Sequence, residues 1–331
     1  MNESAPVVLP VVPGLTGLTL LARGGYATVF RATQPSVGRE VAVKVENRRL
    51  ESDKDQRRFV REARAAGRMS SHPHVVDLFD VGVTDDGHPY MIMELCDGTF
   101  ADRMRQGPSS PAEVRSMGSK IADALADAHA LGVLHRDVKP ANILITRFGE
   151  PALADFGLAV LAETRESSIT IELTPAYAAP EMFHHGRPQP ASDVYALSAT
   201  LYALLRGRPP RWQEGHDPTL ASLVDMFAEP VPDLPDVPAD LTAVLRRGMA
   251  NDPVSRPDAG ELRDELAGPY RDPDPTMVMR PVMPPRQRWP VGRADAEDET
   301  TQASDHSVTQ PTDHTLRARD SRQRSERNPT Q

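Results

Sequence analysis

His135-Arg136-Asp137-Val138-Lys139-Pro140-Ala141-Asn142, with Asp155-Phe156-Gly157 downstream, is the stretch on which the reading of this chain turns. It sets an acid (Asp137), a cation (Lys139) and two oxygen-donor side chains (Asn142, Asp155) close together in the chain. Oxygen donors suit a hard cation such as Mg²⁺. Phosphoryl transfer needs little covalent help from a protein: the triphosphate must be held, its charge neutralised and the attacking hydroxyl aligned. Each task has a candidate here. A lone Asp-x-Lys or a lone Asp-Phe-Gly reads as a surface loop, but finding both in this order sets that reading aside.

Upstream, the pattern is strand, glycine turn, strand, strand. Leu18 to Leu21 leads into Gly24-Gly25, Thr28 to Ala32 follows, and Arg39 to Val45 alternates as a half-buried strand does. Lys44 ends the apolar run Val41-Ala42-Val43-Lys44. Asp53 to Ser70 predicts a charged helix with Phe59, Glu62, Ala63 and Ala66 on one face. A carboxylate on an otherwise apolar face wants a partner, although Lys44 and Glu62, each taken alone, read as ordinary surface charges. His88 to Leu95 predicts a buried strand, and beyond Gly98 the pattern is helical, most clearly over Glu113–Leu131 and Ser192–Leu205. Strands first and helices after predict an α+β chain with a small sheet-rich lobe over 16–95 and a larger helical lobe over 98–267.

Residues 1–15 read as a flexible leader. Residues 268–331 hold ten Arg against ten Asp plus Glu and almost no aliphatics, so the net charge of −9 sits on the remainder. Such a tail buries too little apolar surface to offset its ordering entropy, which predicts disorder. The negative balance argues against a nucleic-acid binder that relies on phosphate attraction. Cys96 is the single cysteine, so no internal disulfide forms, as suits a reducing cytosol. Without a long apolar run or a basic leader, the sequence predicts neither a membrane span nor a signal peptide, and a cytoplasmic location.

The two motifs resemble the catalytic loop and metal-binding motif of the protein kinases. Residues 16–267 are similar to the bacterial, eukaryotic-like serine/threonine protein kinases, for which Lys139 argues over the tyrosine kinases. The resemblance implies the bilobal kinase fold and ATP with Mg²⁺ (or Mn²⁺) as cofactors. In that pattern Asp137 orients or accepts the proton of the substrate hydroxyl, and Lys139 neutralises the moving phosphoryl group. Asn142 and Asp155 hold the metal, and Lys44, braced by Glu62, contacts the α- and β-phosphates. Val29, Ala42 and Leu144 sandwich the adenine, Met93 limits the depth of its pocket, and the backbone of Glu94 and Cys96 bonds to it. Ala22, Gly24 and Gly25 belong to the phosphate-covering loop. This loop departs from three glycines: only the middle one is kept, as Gly24, with Ala22 and Ala27 at the outer positions. Alanine disfavours positive φ, which predicts a stiffer loop.

Thr174-Pro175-Ala176-Tyr177 and Ala179-Pro180-Glu181 resemble the end of an activation segment, with Thr174 on the substrate side and Leu173 where glycine is usual. Glu181 is expected to pair with Arg256, and Asp193 to brace the catalytic loop. Arg136 is a candidate partner for a phosphate on Thr170 or Ser168, with Glu172 as a permanent charge nearby. The implied partners are protein substrates and the chain itself through autophosphorylation. Thr276, Thr300, Thr301, Thr309, Thr312 and Thr315 in the tail are further acceptors that a phosphothreonine-reading domain would dock. Pairing of two copies through the small lobe is a family habit that no residue here decides. Two alternatives stay open: a nucleotide-binding scaffold without turnover, and a small-molecule kinase of the aminoglycoside or choline type.

Overall fold

Alternation in the first third of the chain becomes a five-stranded antiparallel sheet. The computed structural model describes residues 9–156, 175–183, 186–211 and 226–268, without the side chains of Glu62, Arg64, Ala65 and Ala66. Strands β1 (Thr16–Arg23), β2 (Ala27–Gln34), β3 (Arg39–Glu46), β4 (Leu78–Val83) and β5 (Pro89–Glu94) run in the order β1-β2-β3-β5-β4. Successive side chains point to opposite faces. Val41, Val43 and Val45 therefore bury one face with Phe30, Ala32, Tyr90 and Ile92. Ala42 and Lys44 fall on the other face, where Ala42 pairs with Met93 and Lys44 with Met91. Helix α1 (Asp53–Ala66) closes that face with Phe59 and Ala63 packed on Met91.

Three expectations change here. The helix read to Ser70 is α-helical only to Ala66 and then tightens into a 3-10 turn over Gly67–Ser71. Lys44 lies inside its strand, since β3 continues to Glu46. The stretch read as leader is packed at its end: Val12 is 3% exposed and joins the sheet core, with Leu15 against it.

The helical lobe is built around a helix buried on all sides. A short α2 (Phe100–Gln106) opens the lobe with a Thr99/Asp102 capping box. In α3 (Pro111–Ala130), Ser110 caps the first turn by accepting from the Glu113 N–H, and proline holds the first helical position. Helix α4 (Pro190–Arg206) buries every residue from Ser192 to Leu205 and stops at Gly207, whose φ of 79° is the left-handed cap a side chain would resist. Helices α5 (Ala239–Gly248) and α6 (Ala259–Ala267) complete the core. Leu197, Leu201 and Leu204 of α4 are each fully buried, worth about 1.5–3 kcal/mol apiece.

A second, three-stranded sheet sits at the mouth of this lobe: β6 (Gly98–Thr99), β7 (Ile143–Ile145) and β8 (Pro151–Leu153). Its register pairs Ile143 with Leu153, and the Ala154 N–H donates to the Asn142 carbonyl at 2.8 Å. The hairpin thus folds the gap between Asn142 and Asp155 back on itself. Among the described residues no helix is long and apolar enough to cross a membrane.

Candidate active site

The catalytic loop is held from beneath by one buried carboxylate. Asp193, in the first turn of α4 and 1% exposed, accepts from the backbone N–H of His135 (2.9 Å) and of Arg136 (2.7 Å) and bonds the His129 ring (2.9 Å). Arg136 is pinned at φ 72°, a conformation non-glycine residues seldom adopt unless their surroundings impose it. His135 is buried and spans two segments. Its Nε2 lies 2.7 Å from the Ala154 carbonyl, its Nδ1 faces the Asp137 N–H, and its ring meets Phe156 edge-on at 4.8 Å.

These anchors place the chemistry above them. The Asp137 carboxylate takes the Lys139 ammonium at 2.7 Å and the Asn142 amide N–H at 2.9 Å. That amide also donates to the Asp137 carbonyl at 2.8 Å, which turns the Asn142 oxygen away from Asp137. Asp155, at φ 69°, receives Lys44 at 2.9 Å, so the ion pair joins β3 of the sheet lobe to the strand end of the helical lobe. Burial works against both charges. The Asp155 carboxylate more than offsets this for Lys44, whose pKa is raised, with Glu46 and Asp137 adding to it. Lys44, followed by His135 and Lys139, likewise overcomes burial for Asp155, whose carboxyl is held below the usual range. Glu62 is on α1, but its side chain lies outside the described residues, as do Gly157, Ser168, Thr170, Glu172, Leu173 and Thr174.

The adenine candidates converge from both lobes. Val29 pairs with Lys44, and Ala42 with Met93, on neighbouring strands. Met93, Cys96 and Leu144 pack on Val76, Ala152 and Ala154. A small cavity beside them is lined by Met91, Met93, Leu153, Asp155 and Phe156. The Glu94 N–H is already given to the Asp77 carbonyl at 2.9 Å, so Glu94 has only its carbonyl to give. Burial, with Glu94 and Asp97 beside it, pushes the Cys96 thiol up to about 12, which makes it inert. In the phosphate-covering loop, the positive-φ glycines among the described residues do not include Gly24 or Gly25. The stiffness expected from Ala22 and Ala27 is therefore not a matter of left-handed backbone.

Arg256 and Glu181 form the expected pair, bidentate at 2.8 Å, with the arginine side chain fully buried and also bonded to the carbonyls of Ala191 and Ala250. The sequence reading missed His129 as a partner of Asp193, and Lys44 as a partner of Asp155. It also missed Asn47, whose side chain ties the glycine loop to the end of β3. A polar residue closing a strand carries no signal for such a role.

Asn142 and Asp155 suit a hard cation. Each supplies oxygen, and two protein donors leave room for water and phosphate oxygens, as Mg²⁺ prefers. Among the described residues no group of three or more His, Cys, Asp or Glu could hold a metal without such outside ligands.

Residues 16–266 match the family described as "Protein kinase domain". The serine/threonine-protein kinase PknK of Mycobacterium tuberculosis is 42% identical over 261 residues, which cover 76% of this chain and 23% of PknK. PknH of the same organism is 38% identical over 264 residues, 77% of this chain and 42% of PknH. The chain thus spans less than half the length of these relatives. The crystal structure of the Mycobacterium tuberculosis PknI kinase domain superposes with a TM-score of 0.57 at 28% identity, covering 81% of this chain and 99% of that one. With both motifs, the inter-lobe ion pair and the braced catalytic loop in place, the chain belongs to the protein kinase family.

Proposed function

We propose that this chain is a serine/threonine protein kinase that transfers the γ-phosphoryl group of ATP, with Mg²⁺, to protein hydroxyls, its own included. The observation that carries the reading is the Asp137 carboxylate fixed between Lys139 and Asn142 and opposite the Lys44–Asp155 pair. Asp137 takes the proton of the acceptor hydroxyl as its oxygen attacks the γ-phosphorus. The bond from that phosphorus to the bridging oxygen breaks, and ADP leaves with the electron pair. Lys139, at the same carboxylate, offsets the charge on the moving group. Lys44 holds the α- and β-phosphates, and Asn142 and Asp155 would hold the divalent cation, which would neutralise triphosphate charge.

Threonines in 268–331 and the hydroxyls of Ser168 and Thr170 serve as autophosphorylation acceptors in this reading, in the cytoplasm. The test is labelled γ-phosphate transfer from ATP to a basic protein, beside an aminoglycoside and choline. Phosphoserine and phosphothreonine in the protein are expected. Label on the small alcohols alone overturns the protein-kinase assignment, and ATP binding with no label anywhere leaves a scaffold.

A further inference from the structure

Asn47 follows β3 directly, three residues after Lys44. Its amide nitrogen donates to the carbonyls of Gly24 and Gly25, each at 3.0 Å. Its amide oxygen accepts from the Thr28 hydroxyl at 3.0 Å, and its backbone N–H donates to the Tyr26 carbonyl at 2.7 Å. The amide orientation is forced by chemistry: carbonyl oxygens only accept, so the NH₂ must face them, and the hydroxyl, which can donate, takes the oxygen. Every polar group that Asn47 directs at the loop is used, and the contacts span residues 24 to 28.

These bonds have a geometric consequence. In a trans peptide the C=O and the next N–H point in opposite directions. Three successive carbonyls, of Gly24, Gly25 and Tyr26, are drawn to Asn47. The N–H groups of Gly25 and Tyr26 are therefore turned away from it together, and among the described residues neither has a partner. A run of aligned N–H groups is an anion cradle. A Cβ at Gly25 would meet nothing within 4 Å, so the loop keeps room for an approaching ligand.

We infer that Asn47 is a positioning residue: it clamps the carbonyls of the glycine loop so that the N–H groups of Gly25 and Tyr26 are pre-aimed at the nucleotide's phosphates. It thereby replaces the freedom lost with the outer glycines by preorganisation. The clamp directly follows the strand that carries Lys44, so one segment sets both phosphate contacts. The inference rests on the ATP reading above.

The experiment is calorimetric binding of adenosine and of ATP with Mg²⁺ to the full chain, for the unaltered protein, Asn47→Asp and Asn47→Ala. Asn47→Asp keeps the size and the Thr28 acceptor but removes both side-chain donors. The expected result is ATP binding about tenfold weaker in both variants, with adenosine affinity unchanged because adenosine lacks phosphates. In turnover the same variants raise KM for ATP with kcat nearly retained. ATP binding by Asn47→Asp equal to that of the unaltered chain overturns the clamp. So does an equal loss of adenosine binding, which would mark a merely structural role. An unaltered chain that binds neither ligand defeats the ATP reading itself, and the clamp with it.

Discussion

The catalytic loop and the glycine loop are held in opposite ways. Beneath the catalytic loop, Asp193 is 1% exposed and satisfies three donors, and Arg256 is enclosed with Glu181 among carbonyls. The glycine loop rests on Asn47, and its side-chain bonds are open to solvent. A hydrogen bond in low dielectric is stiff and costly to break, whereas an exposed one competes with water at little net cost. The groups that must be placed for bond making are thus built on the helical core. On the proposed kinase reading, the groups that let nucleotide in and out are held by bonds that open cheaply.

This contrast can be broken most forcefully at Arg256. Arg256→Met leaves the Glu181 carboxylate buried without its cation, and about 3–5 kcal/mol of stability should be lost. Thermal unfolding would show it as a Tm lower by about 10 °C. A shift below about 2 °C would mean the pair is not a structural anchor. Asp193→Asn comes next. It keeps the size but replaces one acceptor oxygen with a donor facing the donors of the loop, so kcat should fall about 100-fold while the ATP KM holds. A proportional rise in KM instead would place Asp193's influence on the nucleotide.

The Lys44–Asp155 pair gives a finer test through pH. The Asp155 carboxyl is held low, so its stabilisation is present above the usual carboxylate pKa and is lost only as pH falls through the lower folded value. The Lys44 pKa is raised, so its share is present below the usual lysine value and is lost only as pH rises through the higher one. A double-mutant cycle on the two residues should give a coupling energy that is flat between about pH 5 and about pH 9. Coupling that fades inside that window would contradict the pairing.

The smallest effect is expected at Cys96. With its thiol pushed up to about 12, iodoacetamide at pH 8 should alkylate it roughly a thousandfold more slowly than free cysteine. Modification followed by mass spectrometry at anything near the free rate would show the site to be wetter than the packing with Leu144 and Met93 implies.

What was legible in the sequence follows the same division. The catalytic loop, Asn142 and Asp155 stood out because their residue types and spacing suit phosphoryl transfer, and Glu181, Arg256 and Asp193 were legible only through the resemblance to the protein kinases. The strands of alternating pattern, β2 and β3, could be read because one face is buried. Strand β4 could not: Asp80 and Gly82 break its alternation, and its register with β5 shifts between Leu78 and Asp80. Gly82 is needed there because a Cβ would run into the Tyr90 ring, a reason that lies on another strand. The small sheet of β6, β7 and β8 has only two or three residues per strand, too few for a period to show. Val12 read as leader because a single buried valine in a proline-rich stretch carries no pattern. Lys44 finding Asp155, and Asn47 finding the glycine loop, depend on segments distant in the chain, which no local signal encodes.

The central claim is that Asp137, fixed by Lys139 and Asn142, is the group that takes the acceptor's proton. The direct test is transfer of labelled γ-phosphate from ATP with Mg²⁺ by the full chain and by Asp137→Asn, with ATP binding measured on both. The account predicts label in the unaltered chain and a loss of at least about 100-fold in the variant, with ATP affinity retained. Label that persists in Asp137→Asn at an undiminished rate would contradict it.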